Sequence, residues 1–152
     1  MKLPQTALDK HIAQLLPDYD IDFSAYNDTL PLTWEMIRQL RDEPLATIGC
    51  HTHSHSSFAS CTDHEIIADI EYSCHLMRTK AGVEMKHFAF PYGGKTTVLP
   101  RHFSLVENMG FRTATTTRNA LLFHRTHLHQ LPRISITERN VNSIIDRLNN
   151  EC

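Results

Sequence analysis

Residues 45–58, LATIGCHTHSHSSF, join a short apolar run to three histidines at every second position. The apolar run predicts a short buried strand that ends at Cys50. Imidazole is the commonest protein ligand for metal ions, so His51, His53 and His55 are candidate metal ligands directly after a strand. Cys50 is better explained as a small buried side chain than as a further ligand.

The spacing of these histidines allows two different ligand pairs. His51 and His55 are four residues apart, so one helical turn after the strand would direct both rings to the same side. His51 and His53 instead form an H-x-H pattern, which resembles the motif of metal-dependent amidohydrolases and of phosphoesterases of the polymerase-and-histidinol-phosphatase type. Either pair needs a third ligand, usually His, Asp or Glu, to complete a catalytic zinc site.

Strand and helix patterns alternate along the rest of the chain. A helix beginning in TDHE is followed by a strand at KHFAF, a helix from Val98 to Met109, strands at FRTATTT and LPRISI, and a helix capped by Thr137. This order predicts an α/β fold of parallel strands with covering helices, as a barrel or an open sheet. In both, functional groups gather at the carboxyl ends of the strands, where His51 and the turn PYGG would meet.

Two further helices are predicted before the histidines. The first covers residues 6–16 and is closed by Pro17, and the second begins after Thr33 and is stopped by Pro44. Between them, PDYDIDFSAYNDTLP is interpreted as a polar loop. Four helices have apolar faces expected to point inward: Leu8, Ile12, Leu15 and Leu16; Trp34, Ile37 and Leu40; Ile66, Ile70, Cys74 and Met77; and Val141, Ile144, Ile145 and Leu148.

Composition narrows the choice of partner and compartment. The 152 residues, enough for one core, carry 15 basic and 17 acidic side chains and a net charge of −2, which argues against nucleic acid and favours a small molecule or neutral polymer. No run approaches the roughly 20 apolar residues of a membrane span, and no apolar signal segment follows Lys2, so the chain as written is expected to be cytoplasmic unless a targeting segment has been removed. The four cysteines are too scattered for a disulfide framework.

Four segments in order resemble the polysaccharide deacetylase family. They are TIGCHTHSH, in which His51, Thr52 and His55 match an H-[ST]-x-x-H zinc motif, then FAFPYGG, GFRTATTT and LPRISI. LPLTWEMIRQL and DHEIIADIEYS are also typical of the family and extend the resemblance over most of the chain. The resemblance implies a partial deformed (β/α) barrel and a hydrolase that removes N-acetyl groups from an amino-sugar polymer or glycan.

The resemblance also implies roles for single residues. His51 and His55 would hold zinc or a similar divalent ion, Thr52 would support them through its hydroxyl, and the backbone N–H of Tyr92 would help to bind the oxyanion. His127 is the candidate general acid, and the neighbouring His124 and His129 are its alternatives.

Four other residues stand near these motifs. His87 and His102 are expected to be structural or solvent-facing. Trp34 could stack on a sugar ring, but a core anchor for its helix is the preferred interpretation. Ala89 stands where many family members have arginine, although members acting on β-1,6-linked N-acetylglucosamine polymers often have alanine there.

Residues 1–44 lack one motif that the family has. The family has a Thr-Phe-Asp-Asp-Gly segment on its first strand that supplies a metal-ligand aspartate and the catalytic base, and this sequence shows none. The aspartates present there lack that context: Asp9, Asp18, Asp20, Asp22, Asp28 and Asp42. Residues 1–152 are therefore expected to form a single, N-terminally truncated domain with weakened metal binding, without a base worth about 10²- to 10⁴-fold in rate. Exposed strand edges would invite a homodimer.

The sequence is compatible with three functions. The first is a metal-dependent N-deacetylase, and the second is a non-catalytic truncated domain of the same fold. The third is a phosphoesterase that uses His51 and His53. Loss of metal binding in His55→Ala or in His53→Ala would distinguish the first from the third.

Overall fold

The structure is a computed structural model, and it describes residues 5–15 and 31–151. Its helices are α1 (Gln5–Leu15), α2 (Trp34–Asp42), α3 (Asp63–Ala81), α4 (Pro100–Asn108) and α5 (Val141–Glu151). Its strands are β1 (His87–Ala89) and β2 (Thr113–Thr115), and short 3-10 turns occur at Phe58–Ser60 and Leu128–Gln130. The loop predicted between the first two helices lies almost entirely outside the described residues.

The strands form a small parallel sheet. β1 pairs with β2 with Phe88 opposite Ala114. On the other side of β1, Cys50 makes an isolated parallel bridge to Phe88, and on the other side of β2, Leu131 makes one to Thr115. Four segments thus run side by side in one direction, and the predicted α/β fold is confirmed. The two outer segments are shorter than predicted, because LATIGC and LPRISI each contribute a single bridging residue.

The core lies where β1, β2, α3 and α4 meet. The ring centroids of Phe88 and Phe90 are 5.1 Å apart in a T-shaped contact, and Phe58 packs 5.6 Å from Phe90. Edge-to-face aromatic pairs contribute about 0.5–1.5 kcal/mol beyond the apolar area that they bury. This cluster anchors the strand ends from which the histidines and the PYGG turn emerge. Its other buried members are Cys50, Ile66, Ile70, Val98, Phe103, Val106, Phe111 and Ala114.

The helix after the histidines follows its prediction closely. The Thr62 side chain accepts a hydrogen bond from the Glu65 N–H, and the Glu65 carboxylate accepts one from the Thr62 N–H, which forms the predicted capping box. The helix ends at Gly82, whose φ of 65° is the left-handed conformation that glycine adopts readily. Ile66 and Ile70 are buried as expected.

The prediction that the apolar faces of the first two helices point inward is wrong. Ile12 and Leu15 in α1 are 45% and 55% exposed, and Trp34 and Leu40 in α2 are 38% and 39% exposed. Trp34 is therefore not a core anchor. The periodicity shows that an apolar face exists but does not show which segment covers it. The side chains of Leu8 and Leu148, and residue Leu16 as a whole, lie outside the described residues.

Hydrogen bonds, rather than a buried apolar face, attach α2 to the described part of the chain. The Arg38 and Arg41 guanidiniums donate to the carbonyl oxygens of Lys80 and Ala81 at the end of α3, each at 2.8 Å. These carbonyls lack intrahelical partners, so the two arginines cap α3. Thr33 caps α2 itself, because its hydroxyl accepts from the Met36 N–H at 3.2 Å, as predicted.

The last helix begins later than predicted. Thr137 does not cap it with its side chain; its carbonyl accepts from the Val141 N–H, and its own N–H donates to the Asn140 side chain. The helix starts at Val141 and buries Ile144, whereas Ile145 is 48% exposed. None of the described helices is both long enough and apolar enough to span a bilayer.

Candidate metal and catalytic site

His51 and His55 meet at the carboxyl end of β1. His51 follows the bridging residue Cys50, and its Nδ1 lies 2.7 Å from the carbonyl oxygen of Ala89. A carbonyl can only accept, so Nδ1 carries the proton and Nε2 keeps a free lone pair, as in metal-binding histidines. The His55 ring centroid lies 4.8 Å from that of His51, and both rings are exposed. The pair can therefore offer two imidazole nitrogens to one ion.

Tyr92 lies against this pair on the turn that follows β1. Its ring centroid is 4.9 Å from that of His55, and the side chain is 53% exposed. The Tyr92 carbonyl accepts a hydrogen bond of 2.6 Å from the Thr117 hydroxyl. Its N–H donates to no protein acceptor within residues 5–15 and 31–151. A free backbone donor thus stands beside the two histidines.

The backbone of the site is strained. Thr52, His55 and Tyr92 have φ values of 66°, 55° and 60°, and no other non-glycine residue in the described chain has a positive φ. Such conformations cost about 1–3 kcal/mol each and concentrate at functional sites. The Thr52 hydroxyl accepts from the His55 N–H at 3.0 Å. Thr52 therefore positions His55 through its backbone, where the sequence suggested support of the rings.

Glycine is required at the centre of the Tyr92 turn. Gly93 has a φ of +61°, and a Cβ placed on it would lie 2.5 Å from the Thr117 nitrogen. The Thr117 N–H donates to the Gly93 carbonyl at 3.1 Å. The turn is thus packed directly on the segment after β2, which fixes Tyr92 relative to the histidines.

His53 belongs to a different set of contacts. Its ring packs 4.6 Å from Tyr72 of α3, and the following Ser54 donates from its N–H and its hydroxyl to the Asp69 carboxylate at 3.1 and 3.0 Å. These bonds hold the middle of the histidine loop against α3. The structure brings together His51, His55 and Tyr92, and it places His53 elsewhere.

Carboxylate ligands are not found beside the pair. Among the side chains that the structure describes, no His, Cys, Asp or Glu joins His51 and His55 in a group of three that could hold a metal. Cys50 is 1% exposed, and burial raises the pKa of its thiol to about 11, so it stays protonated and packs as a core residue. Asp42 pairs with Arg41 at 2.7 Å. Asp18, Asp20, Asp22, Asp28 and the side chain of Asp9 lie outside the described residues.

His127, the candidate general acid, lies at the other end of the strands. It stands beside His129, whose Nε2 is 2.7 Å from the carbonyl oxygen of Phe111, just before β2. His51 contacts the carbonyl of Ala89, which is paired with Thr115 in the sheet. Phe111 is four residues before Thr115, so it lies about 13 Å away from Thr115 along the strand direction. His127 is therefore not placed to act at His51. His124 is exposed on the same segment.

Two other histidines have structural roles, as predicted. His87 Nδ1 lies 2.8 Å from the Thr113 hydroxyl across the sheet. His102 is fully buried, and its Nδ1 accepts from the Leu99 N–H at 3.0 Å, at the start of α4. Burial, with a smaller effect of Arg101, lowers the pKa of His102 to about 4, so its ring is neutral.

Sequence reasoning missed a second cluster, formed by Glu107, His127 and His129. One ligand atom from each lies within 4.8 Å of the others. Glu107 is on α4, and the histidines follow β2 by about a dozen residues. The two histidines are two residues apart, but no local spacing links them to Glu107, so only the tertiary structure reveals the group.

Comparison with known proteins extends these observations. A family model described as polysaccharide deacetylase matches residues 3–114. The fold is similar to the BpsB deacetylase domain from Bordetella bronchiseptica, at 18% identity and a TM-score of 0.59, over 68% of this chain and 48% of that one. It is also similar to the deacetylase PplD from Streptococcus pyogenes in complex with acetate, at 14% identity and a TM-score of 0.64, over 88% of this chain and 61% of that one.

A third similar structure is IcaB from Ammonifex degensii, at 20% identity and a TM-score of 0.62, over 75% of this chain and 52% of that one. The chain thus spans about half to three fifths of the length of these structures. Likeness at this identity shows the fold, which is a partial deformed (β/α) barrel as predicted. Among curated proteins, none matches the chain.

Proposed function

Because the chain belongs to the polysaccharide deacetylase family, we propose that it is a metal-dependent hydrolase that removes N-acetyl groups from an amino-sugar polymer or glycan. The observation that carries the proposal is the contact between the His51 and His55 rings at the carboxyl end of β1, beside Tyr92. Enzymes built on parallel strands use this end of the sheet for chemistry.

His51 and His55 would hold the divalent ion, and Zn²⁺ suits two imidazole ligands. The Ala89 carbonyl keeps the His51 proton on Nδ1, which leaves Nε2 available as a ligand. Thr52 keeps the His55 backbone in its left-handed conformation, so the two rings stay in contact. A bound ion would supply a Lewis acid that polarises the acetamide carbonyl.

Tyr92 would bind the oxyanion that develops on the acetamide oxygen. Its N–H is free of protein acceptors in the described chain, and the packing of Gly93 against Thr117 holds it in place. A fixed donor of this kind typically contributes about 2.7–4 kcal/mol to the transition state. The third ligand and the general base would come from groups other than the described side chains.

A cleft on the Tyr72 side of the histidine loop would be a subsite for a further sugar unit of the substrate, since its lining does not include His51, His55 or Tyr92. Its volume is about 510 Å³, and it lies between the loop and α3. Hydroxyls, a carboxylate and an aromatic ring are suited to hydrogen bonding and stacking with a pyranose. The polar and aromatic residues that line it include Ser54, Ser56, His64, Asp69 and Tyr72.

Zinc content and deacetylation of a short N-acetylglucosamine oligomer, measured on the same protein, test the proposal. His55→Ala is expected to release one equivalent of zinc and to abolish acetate release. His53→Ala is the matched control, because His53 is two residues away on the same loop but contacts Tyr72 instead of His51. This control is expected to keep both the zinc and the activity.

The other outcomes assign the rival functions. Loss of zinc in His53→Ala alone, with turnover of an aryl phosphate, would assign the H-x-H phosphoesterase and overturn the proposal. Folded wild-type protein that releases no acetate in the presence of zinc would indicate a non-catalytic domain. A homodimer formed through the strand edges stays a prediction, to be checked by analytical ultracentrifugation.

A further inference from the structure

We propose that Glu107, His127 and His129 form a second divalent-cation site, suited to Zn²⁺, at the amino ends of the strands. His129 Nδ1 lies 3.8 Å from one Glu107 carboxylate oxygen, and His127 Nε2 lies 3.9 Å from the other. A carboxylate and two imidazoles are a common ligand set for zinc. The site is independent of the proposed function, since it shares no residue with His51, His55 or Tyr92.

The buried ring of His129 points to a ligand. Only 7% of its side chain is exposed, and its Nε2–H donates to the Phe111 carbonyl at 2.7 Å. The proton on Nε2 leaves Nδ1 as a lone-pair acceptor. This Nδ1 is buried without a hydrogen-bond partner in the described chain. Buried polar atoms without a partner are rare and costly, so a missing partner is expected there.

A cation is the partner that the geometry accommodates. The lone pair of His129 Nδ1 faces the Glu107 carboxylate, so two acceptors stand opposite each other across 3.8 Å. A proton between them would give a charge-assisted bond of about 2.7–2.9 Å, much shorter than this separation. Zinc with ligand distances of about 2.1 Å at a tetrahedral angle separates its ligands by about 3.4 Å. Contraction by about half an ångström would bring His129 and Glu107 to this separation, whereas the three ligand atoms of the cluster lie within 4.8 Å of one another, so His127 must also move.

His127 would be the third ligand and the adaptable one. Its Nδ1 accepts from the His129 N–H at 3.2 Å, and its ring is 51% exposed. Ligation through Nε2 requires the proton to move to Nδ1, so the ring must release this bond and rotate. Glu107 is 49% exposed, so water can reach the fourth position of the ion. The ion would tie the end of α4 to the 3-10 turn at Leu128–Gln130.

The test uses the full chain with His51→Ala and His55→Ala, which removes the first pair. Zn²⁺ is titrated in competition with a chromophoric chelator, and Co²⁺ is added separately to record the absorption of a tetrahedral site. We expect one equivalent of bound Zn²⁺ in this background. Glu107→Gln is expected to weaken binding at least tenfold. His124→Ala, an exposed histidine on the same segment, is the control and is expected to have no effect.

Three results would overturn the site. They are no binding in the His51→Ala and His55→Ala background, unchanged affinity in a Glu107→Gln variant whose circular dichroism matches that of the parent chain, and binding that is lost on His124→Ala. This test is independent of the test of the proposed function. In the otherwise native chain, Glu107→Gln should release one equivalent of zinc and leave the rate of deacetylation unchanged. His129→Ala is avoided, because removal of a buried ring can unfold the chain.

Discussion

The two ends of the small sheet both carry a pair of histidines, but they hold them in different ways. At the carboxyl end, His51 and His55 are exposed and stand on strained backbone, with no carboxylate beside them in the described chain. At the amino end, His129 is buried and faces Glu107, and its backbone has no positive φ. Exposure and strain suit a site that admits a substrate, whereas a buried imidazole that faces a carboxylate suits a site that binds an ion.

The two ends also fix opposite tautomers. His51 donates from Nδ1 to a carbonyl and leaves Nε2, the nitrogen farther from the backbone, as a ligand. His129 donates from Nε2 to a carbonyl and leaves Nδ1, the nitrogen nearer the backbone. An ion at the carboxyl end would therefore stand away from the main chain, where a sugar can reach it. An ion at the amino end would lie close to the chain and act as a structural tie.

The largest expected effect is on stability, from a substitution that tests whether packing maintains the strained backbone at the carboxyl end. Gly93→Ala places a Cβ 2.5 Å from the Thr117 nitrogen at a φ of +61°. We expect it to lower the free energy of unfolding by about 2–4 kcal/mol in urea denaturation, because steric overlap adds to the cost of the left-handed conformation. Gly110→Ala is the matched control, since Gly110 has a φ of +87° but no atom within 4 Å of the added Cβ. Its expected loss is about 1 kcal/mol, and equal losses would contradict the packing argument.

A smaller effect is expected on zinc affinity, and it should occur at the carboxyl end of the sheet and not at the amino end. Thr52→Ala removes the hydroxyl that accepts from the His55 N–H. Residues that orient metal ligands typically contribute about 10- to 100-fold to affinity, so we expect a loss of this size at the His51 and His55 pair. Thr52→Ser keeps the hydroxyl and should restore binding. In the same titration, the affinity of the Glu107 cluster should not change, and a parallel loss there would show that the ends are coupled.

The smallest effect concerns the second buried histidine, His102, which lies on the same helix as Glu107. Its folded pKa of about 4 lies below the ordinary value of 6.5, so the unfolded chain binds a proton first as the pH falls. The stabilisation is complete above pH 6.5 and is lost as the pH falls toward 4. Between pH 7.5 and pH 5.5, His102 should account for a loss of about 1.4 kcal/mol.

His102→Gln is the variant for this measurement, because its amide can accept from the Leu99 N–H but does not titrate. The pH dependence of the free energy of unfolding, measured with urea at both pH values, should be flatter in the variant than in the parent chain. An unchanged slope would show that His102 is not the buried neutral group responsible. His102 and His129 each have one unpartnered buried nitrogen, but only His129 faces the carboxylate of Glu107.

Local patterns predicted the elements that local interactions build. The capping box of Thr62 and Glu65 and the end of α3 at Gly82 are confirmed, because each depends on residues a few positions apart. The strand predicted in KHFAF is confirmed too, although its parallel pairing with β2 joins residues 26 positions apart. The prediction that the apolar face of α2 points inward was wrong, because burial of that face requires a packing partner that periodicity does not identify. Thr137 was wrong as the cap because the helix begins at Val141, so Asn140 and not Thr137 stands directly before its first residue.

By itself, the sequence determined the α/β alternation, the family motifs and the placement of a histidine loop after a strand. Only the tertiary structure decided which histidines meet. His51 contacts His55 and not His53, because left-handed backbone at Thr52 and His55 turns the loop, while Asp69 holds its centre against α3. Only the packing of α4 beside the segment after β2 placed Glu107 next to His129. Short-range spacing encodes turns and helices, whereas contacts between distant residues depend on how the elements pack.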